Sequence, residues 1–240
     1  MTAYYNEIDP HAARWLRNLI AAGHIAPGDV DERSIVDVDP ADLFGYTQCH
    51  FFAGIGGWSY AARLAGWPDD RPLWTGSCPC QPFSHASRGR GGGFGSVKDL
   101  WPSWFKLLAE LHPETVFGEQ VTSGMGWDWL DRATDDLERE AYAVWPIGLC
   151  ASLFGFPGRE RIYFVADTDR QSERAGSVDA KVAGISAPRR VATAAEQWLS
   201  DMGDDRDGLP FKMGRLRAYG NAIVPQVAAE VIGAYLDCHP

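Results

Sequence analysis

No run of about eighteen apolar residues occurs anywhere in the chain, so no segment reads as a membrane-spanning helix. Met1-Thr2-Ala3-Tyr4-Tyr5 does not open a signal peptide either. A disulfide framework is also missing: the 5 cysteines are odd in number and irregularly spaced, which fits a reducing cytoplasm. Cys49, Cys150 and Cys238 stand alone and no His or Cys lies at finger-like spacing, so no metal site is expected. An excess of basic charge is absent as well. Against 32 Asp+Glu there are only 22 Lys+Arg, a net charge of −10 that is awkward for a protein gripping phosphates. The distribution softens this, because residues 152–217 hold 11 Lys/Arg against 10 Asp/Glu, so nearly the whole acidic excess lies elsewhere.

What remains is an ordinary globular composition, 45% hydrophobic and 22% charged, over 240 residues. That length suits one sizeable α/β domain with a small appendage. The chain is organised around Gly76-Ser77-Cys78-Pro79-Cys80-Gln81-Pro82-Phe83-Ser84. Pro79 and Pro82 fix their own φ and offer no N–H, so this segment neither continues a helix nor sits inside a sheet. Pro72-Leu73-Trp74-Thr75 before it reads as a short buried strand, which presents Cys80 at a strand's C-terminal end, where open α/β sheets keep their chemistry. A thiol there is a nucleophile when a neighbour favours its thiolate; Cys78 and Cys80 also suit small buried apolar positions.

Upstream, Asp9-Pro10 opens a helix carrying Ala12, Ala13, Trp15, Leu16, Leu19 and Ile20, which Gly23 and Pro27-Gly28 stop. Asp29-Val30-Asp31 is acidic and turn-flanked, Ser34-Ile35-Val36-Asp37-Val38 is a short run, and Asp39 to Leu43 is a helical turn or loop. Thr47 to Phe52 is strand-like and runs into Ala53-Gly54-Ile55-Gly56-Gly57, with a helix over 58–66 after it. Strand, glycine loop, helix is a cofactor-binding layout, because glycines let a ligand approach the backbone and the helix N-terminus favours its negative end. Beyond Cys80, residues 85–99 carry five glycines with Arg88, Arg90 and Lys98, and read as a mobile basic loop able to close on a polyanion. Leu100 to Leu111 is an amphipathic helix; Thr115 to Gly118 is a strand delivering Glu119-Gln120-Val121. Residues 127–138 form another helix, Tyr142 to Trp145 a strand, Gly155 to Gly158 a turn, and Arg159 to Val165 a strand with two arginines at its start. Periodicity fails over residues 167–210 apart from a short helix at 192–199, and Val227 to Leu236 is a clean helix.

Pro79-Cys80-Gln81 with Phe83-Ser84 resembles the nucleophile motif of the cytosine-C5 DNA methyltransferases. Four more segments, spread from Phe51 to Leu236, resemble that family's other motifs: the glycine loop, Glu119-Gln120-Val121, Arg159-Glu160-Arg161 and Gly220-Asn221. Gln120 stands where the family has Asn, and Pro157 where it has Gln. The family's order is glycine loop, then an Asn-Glu-x-Asp segment, a helix and a Gly-Asp-Ile-like turn, then Pro-Cys-Gln. Here Asn6-Glu7-Ile8-Asp9 and Gly28-Asp29-Val30 precede the glycine loop, so the order is rearranged. A right-handed crossover from the strand at 47–52 to the one before Cys80 would then put helix 58–66 on the sheet face opposite its usual one. Otherwise the chain's first strand and helix would come from another subunit.

The resemblance implies an α/β, Rossmann-like S-adenosylmethionine-dependent methyltransferase fold with a minimal target-recognition segment. Residues 1–166 would form the catalytic cofactor-binding domain, 167–210 the target-recognition segment, and 211–240 the return to the catalytic domain. By the same resemblance Cys80 is the nucleophile, Glu119 the group that protonates the base, Arg161 the holder of its O2 side and Arg159 an ordering residue. S-adenosylmethionine would meet Glu7 at its ribose, Asp29 (or Asp31 in its stead) at the adenine amino group and Phe52 at the adenine face. Ala53, Gly54, Gly56, Gly57 and Asn221 complete that site. Gln81, Ser84, Arg88 and Arg90 would face double-stranded DNA. The expected setting is the cytoplasm of a bacterial or phage-infected cell, in restriction–modification or phage protection, with a homodimer or an accessory subunit as the partner. Two readings stand beside this one: a non-catalytic or partner-dependent nucleic-acid-binding relative, and an RNA cytosine methyltransferase.

Overall fold

The computed structural model describes residues 2–79, 99–156, 158–168 and 222–239. In chain order the elements are β1 (Thr2–Asn6), α1 (Pro10–Ala21), β2 (Gly28–Asp31), β3 (Tyr46–Phe51), α2 (Gly57–Ala65) and β4 (Leu73–Gly76). They continue with α3 (Trp101–Leu111), β5 (Thr115–Val121), α4 (Gly124–Arg139), β6 (Ala143–Cys150), β7 (Glu160–Asp167) and a last helix, α5 (Pro225–Cys238). The strands make one 7-stranded sheet in the order β2-β1-β3-β4-β5-β7-β6. Neighbours from β2 to β5 are parallel, and β7 runs antiparallel between β5 and β6. With helices on both faces, this is the Rossmann-like methyltransferase architecture expected above.

Strand alternation divides the core between the two faces. Tyr4, Phe51, Trp74, Val116 and Phe164 point to the face covered by α3 and α4, where Trp101, Trp104, Trp129 and Leu130 are buried. Tyr5, Leu73, Phe117, Tyr163 and Val165 point to the other face, covered by α1, α2 and α5. The helix ends follow from local chemistry. Asp9 caps α1 by accepting from the backbone N–H groups of His11 and Ala12, with Pro10 in the first turn. Gly66, at φ +83, closes α2.

Beside these agreements are several differences. β1 and β2 are strands whose bounds the residue pattern did not signal, and residues 35–37 of the short run form a 3-10 turn. β6 runs past Pro146 to Cys150, which its place at the sheet edge permits, since an edge strand does not need every N–H.

The expected crossover is also overturned. β3–α2–β4 and β4–α3–β5 step across the sheet in the same direction, yet α2 and α3 lie on opposite faces, so the two crossovers have opposite hands. β1–α1–β2 steps the other way with α1 on the face of α2, and so shares its hand with β4–α3–β5. The α2 crossover is therefore the odd one, against the nearly universal right-handed rule. The helix stays on the α1 side, where Trp58, Ala61 and Ala62 pack against α5, and where Ser59 hydrogen-bonds Tyr5 of β1 at 2.9 Å. β1 and α1 pack against the glycine loop of their own chain.

Candidate active site

β1 and β3 are neighbours in register, Asn6 opposite Phe51, so the residues that follow them emerge together at one sheet edge. The Ala53 N–H donates to the Asn6 carbonyl at 3.0 Å, and the Gly54 N–H donates to Glu7 Oε2 at 2.7 Å. The other Glu7 oxygen accepts from the Asp9 N–H at 2.9 Å. The glycine loop is thus pinned to the end of β1 at two points, one of them the carboxylate. Burial raises the proton affinity of Glu7, and the two backbone N–H groups pull it back only in part.

Within the loop, Gly56 sits at φ +82 and precedes α2, a backbone state that other residues adopt at a cost. Gly57 is required for space: a Cβ there would lie 2.8 Å from Ile223 Cγ1. Phe52 has φ +51, which is strained for a residue with a side chain, and its ring meets the edge of Trp104 at 6.1 Å. Glu7, Phe52, Ala53, Gly54, Gly56 and Gly57 therefore come together as expected. A fixed carboxylate, an aromatic ring and a close-approach glycine turn suit the ribose and adenine of a nucleoside cofactor.

Asp29 does not join them directly. It lies two residues before the end of β2, opposite Tyr4, and accepts from the Tyr46 hydroxyl at 2.9 Å. Asp31 is the residue at the strand end, opposite Asn6, and its carboxylate accepts from Tyr4 at 2.7 Å and from Arg33. Asn221 lies outside the described residues.

The next strand ends complete the edge. Phe51 pairs with Gly76 and Gly76 with Gly118, so the glycine loop, the Ser77-Cys78-Pro79 segment and Glu119 lie side by side. Cys80, Gln81, Ser84, Arg88 and Arg90 lie outside the described residues. Cys78 is buried in the aromatic core, where burial, with Asp99 adding to it, pushes its thiol well above the ordinary range. Such a thiol is a poor nucleophile, and Cys78 is not the cysteine that the resemblance names for that role.

Glu119 is 6% exposed and opposite Tyr163 in register. Burial raises its proton affinity; the cationic Arg161 and Arg159 pull it down, as do hydrogen bonds from Ser77 and Arg161. Arg161 Nε lies 2.7 Å from Glu119 Oε1. The net direction is upward, so this carboxyl keeps its proton above the usual glutamate range. Gln120, where the family has Asn, sends Nε2 to the Cys78 carbonyl at 3.5 Å and accepts from the Val121 N–H at 3.0 Å. It ties β5 to the segment before Cys80, so the departure keeps a supporting contact.

The sequence reading did not single out Ser77 and Trp58. Trp58 Nε1 donates to Ser77 Oγ at 3.0 Å, and the Ser77 hydroxyl bonds Glu119. The available signal was position: Trp58 directly follows the glycine loop, and Ser77 lies three residues before Cys80. Among the described residues no cluster of His, Cys, Asp or Glu is arranged to hold a metal, and no helix is long and apolar enough to cross a membrane.

A family model described as C-5 cytosine-specific DNA methylase matches residues 67–191, just over half of the chain. Among curated proteins no significant match is found. Similar solved structures include a variant of DNMT2 from Spodoptera frugiperda, 16% identical with a TM-score of 0.47, covering 70% of this chain and 43% of that one. A candidate DNA modification methyltransferase encoded within an E. coli prophage is 21% identical with a TM-score of 0.43, covering 69% and 39%. The Entamoeba histolytica methyltransferase EhMeth is 14% identical with a TM-score of 0.46, covering 69% and 44%. The chain thus corresponds to about two fifths of the length of these structures.

Proposed function

The chain belongs to the C-5 cytosine-specific DNA methylase family, whose methyl donor is S-adenosylmethionine, and from that premise we propose that it methylates cytosine in double-stranded DNA through a Cys80 adduct. The observation that carries the reading is Glu119: a buried carboxyl of raised proton affinity, paired with Arg161, at the same sheet edge as the glycine loop. Bound S-adenosylmethionine supplies an electrophilic methyl group on a sulfonium. Glu7 and Gly54 would hold its ribose end and Phe52 its adenine, while Gly56 and Gly57 let the loop pack closely against α1 and Ile223.

Cytosine C6 resists addition until N3 is protonated or strongly hydrogen-bonded, and Glu119 is the group that supplies that proton. Arg161 holds the O2 side of the base, and Arg159 orders the pocket or a phosphate. The Cys80 thiolate adds to C6, which makes C5 nucleophilic toward the methyl group. Loss of the C5 proton and elimination of Cys80 then release 5-methylcytosine. The target base leaves the duplex stack first, at a cost of a few kcal/mol. Gln81, Ser84, Arg88 and Arg90 would line the DNA side, and residues 167–210 would read a short site. The cytoplasm of a bacterial or phage-infected cell is the setting this implies.

The test is methyl transfer from labelled S-adenosylmethionine to duplex DNA, with RNA of the same sequence as a second arm. Wild-type protein should label DNA, Cys80→Ala should not, and a duplex carrying 5-fluorocytosine should trap wild type and Cys78→Ser covalently. Labelling of RNA alone would transfer the reading to an RNA cytosine methyltransferase. Trapping that survives Cys80→Ala would remove Cys80 from the mechanism.

A further inference from the structure

Glu119 sits at the end of a partly buried polar chain that starts at the glycine loop. Trp58, 3% exposed, is the second residue of α2 and directly follows the glycine loop. Its ring packs edge-on against Tyr163, the residue opposite Glu119, with centroids 6.1 Å apart. Its indole N–H donates to Ser77 Oγ at 3.0 Å, and Ser77 bonds the Glu119 carboxyl. An indole nitrogen only donates, whereas a hydroxyl has one proton to give and two lone pairs to receive. With one lone pair of Ser77 taken by Trp58, the hydroxyl proton is left to donate to Glu119, and donation into its oxygen strengthens the bond it makes onward.

We propose that Trp58 and Ser77 are positioning residues for Glu119, the indole N–H fixing the serine hydroxyl as a donor to the carboxylate. The role rests on the reading of Glu119 as the group that protonates the base. Its consequence has a definite sign. A hydroxyl donating to the carboxylate favours the ionised form, against burial, in company with Arg161 and Arg159. Without Trp58 the hydroxyl donates less strongly, and its freed lone pair can accept from a protonated carboxyl. Both changes move the titration of Glu119 upward. Among the described residues the other groups facing Glu119, namely Arg159, Arg161 and Tyr163, belong to β7 or the residue before it and stay in place.

The experiment is a carbon-13 NMR titration of the Glu119 carboxyl in the full-length protein, with Glu119→Gln assigning the signal. Trp58→Phe and Ser77→Ala should each move the midpoint upward. The double variant should move it no further than Ser77→Ala alone, and Ser77→Thr should keep the wild-type midpoint. Ser77→Ala removes a single hydroxyl, so it reads the proposal even where Trp58→Phe loosens the fold. An unmoved midpoint in Ser77→Ala, or a double variant shifted by the sum of the two singles, would overturn it. The titration needs no substrate, so these outcomes stand apart from the methyl-transfer assay. In an active enzyme the alkaline limb of the pH–rate profile should rise with the midpoint, which packing loss alone would not cause.

Discussion

Removing the Glu7 carboxyl should separate cofactor affinity from stability. Among the described residues Glu7 is the acidic side chain tied to the glycine loop, and each of its oxygens already accepts one backbone N–H, from Asp9 at 2.9 Å and Gly54 at 2.7 Å. Each oxygen retains a lone pair, enough for the two ribose hydroxyls of S-adenosylmethionine. A hydrogen bond to a charged acceptor contributes about 1.5–3 kcal/mol net, so losing two would cost about 3–6 kcal/mol if nothing relaxed. Water replacing the carboxylate returns part of this, and about 3 kcal/mol, roughly a 100-fold loss of affinity, is the expectation for Glu7→Ala. The fold should lose less. The variant gives up two hydrogen bonds but is relieved of a carboxylate that burial disfavours, and these oppose each other. Titration calorimetry with S-adenosylmethionine measures the affinity, and a thermal melt without ligand measures the fold. Unchanged affinity would mean that the rearranged motif order is misread and Glu7 serves only to pin the loop. Equal losses in both would make the effect structural.

Two further outcomes are expected. In Arg161→Gln the partner 2.7 Å from Glu119 is gone, so burial acts with less opposition and the alkaline limb of the pH–rate profile moves upward while the maximal rate falls; an unmoved limb would detach that pair from the titration. A carboxyl whose proton affinity is raised in the fold contributes most stability below its unfolded value and loses it as pH rises through the folded one, so the variant's deficit in a melt should grow from acid toward neutral pH. Gly57→Ala brings a Cβ to 2.8 Å from Ile223 Cγ1 and should cost about 1–3 kcal/mol, read as a lower melting temperature; no loss would show that α5 yields there.

The strand ends of the candidate site were legible because each couples a short apolar run to a residue that packing does not explain. Phe51 leads to the glycine loop, Trp74 and Thr75 to the cysteine segment, and Phe117 to Glu119. β1 and β2 gave no such signal. Tyr4 and Tyr5 are both buried because helices cover that strand on both sides, so no polar alternation marks it. β2 is an edge strand whose two aspartates are satisfied by Tyr46, Tyr4 and Arg33 rather than by water alone, a pattern that reads as a solvated turn in one dimension. The polar chain from Trp58 through Ser77 to Glu119 was out of reach for a different reason. It joins three strand-end segments whose adjacency is fixed only when β3, β4 and β5 are neighbours.

The unusual hand of the α2 crossover follows from that adjacency. Right-handed connections hold in about 98% of cases, a bias equivalent to about 2 kcal/mol. Moving α2 to the other face would expose Trp58, Ala61 and Ala62 and open their contact with α5, and burial of one large side chain alone is worth about 1.5–3 kcal/mol. It would also break the buried Tyr5–Ser59 hydrogen bond, and the far face is already filled by Trp101 and Trp104 of α3. The glycine loop already lies on the α1 side, where a Cβ on Gly56 would meet Leu16 and Leu19 of α1. A helix starting at Gly57 on that side brings Trp58 to Ser77. With the order of elements along the chain changed, the crossover hand gave way, because the packing of α2 against α5 outweighs that bias.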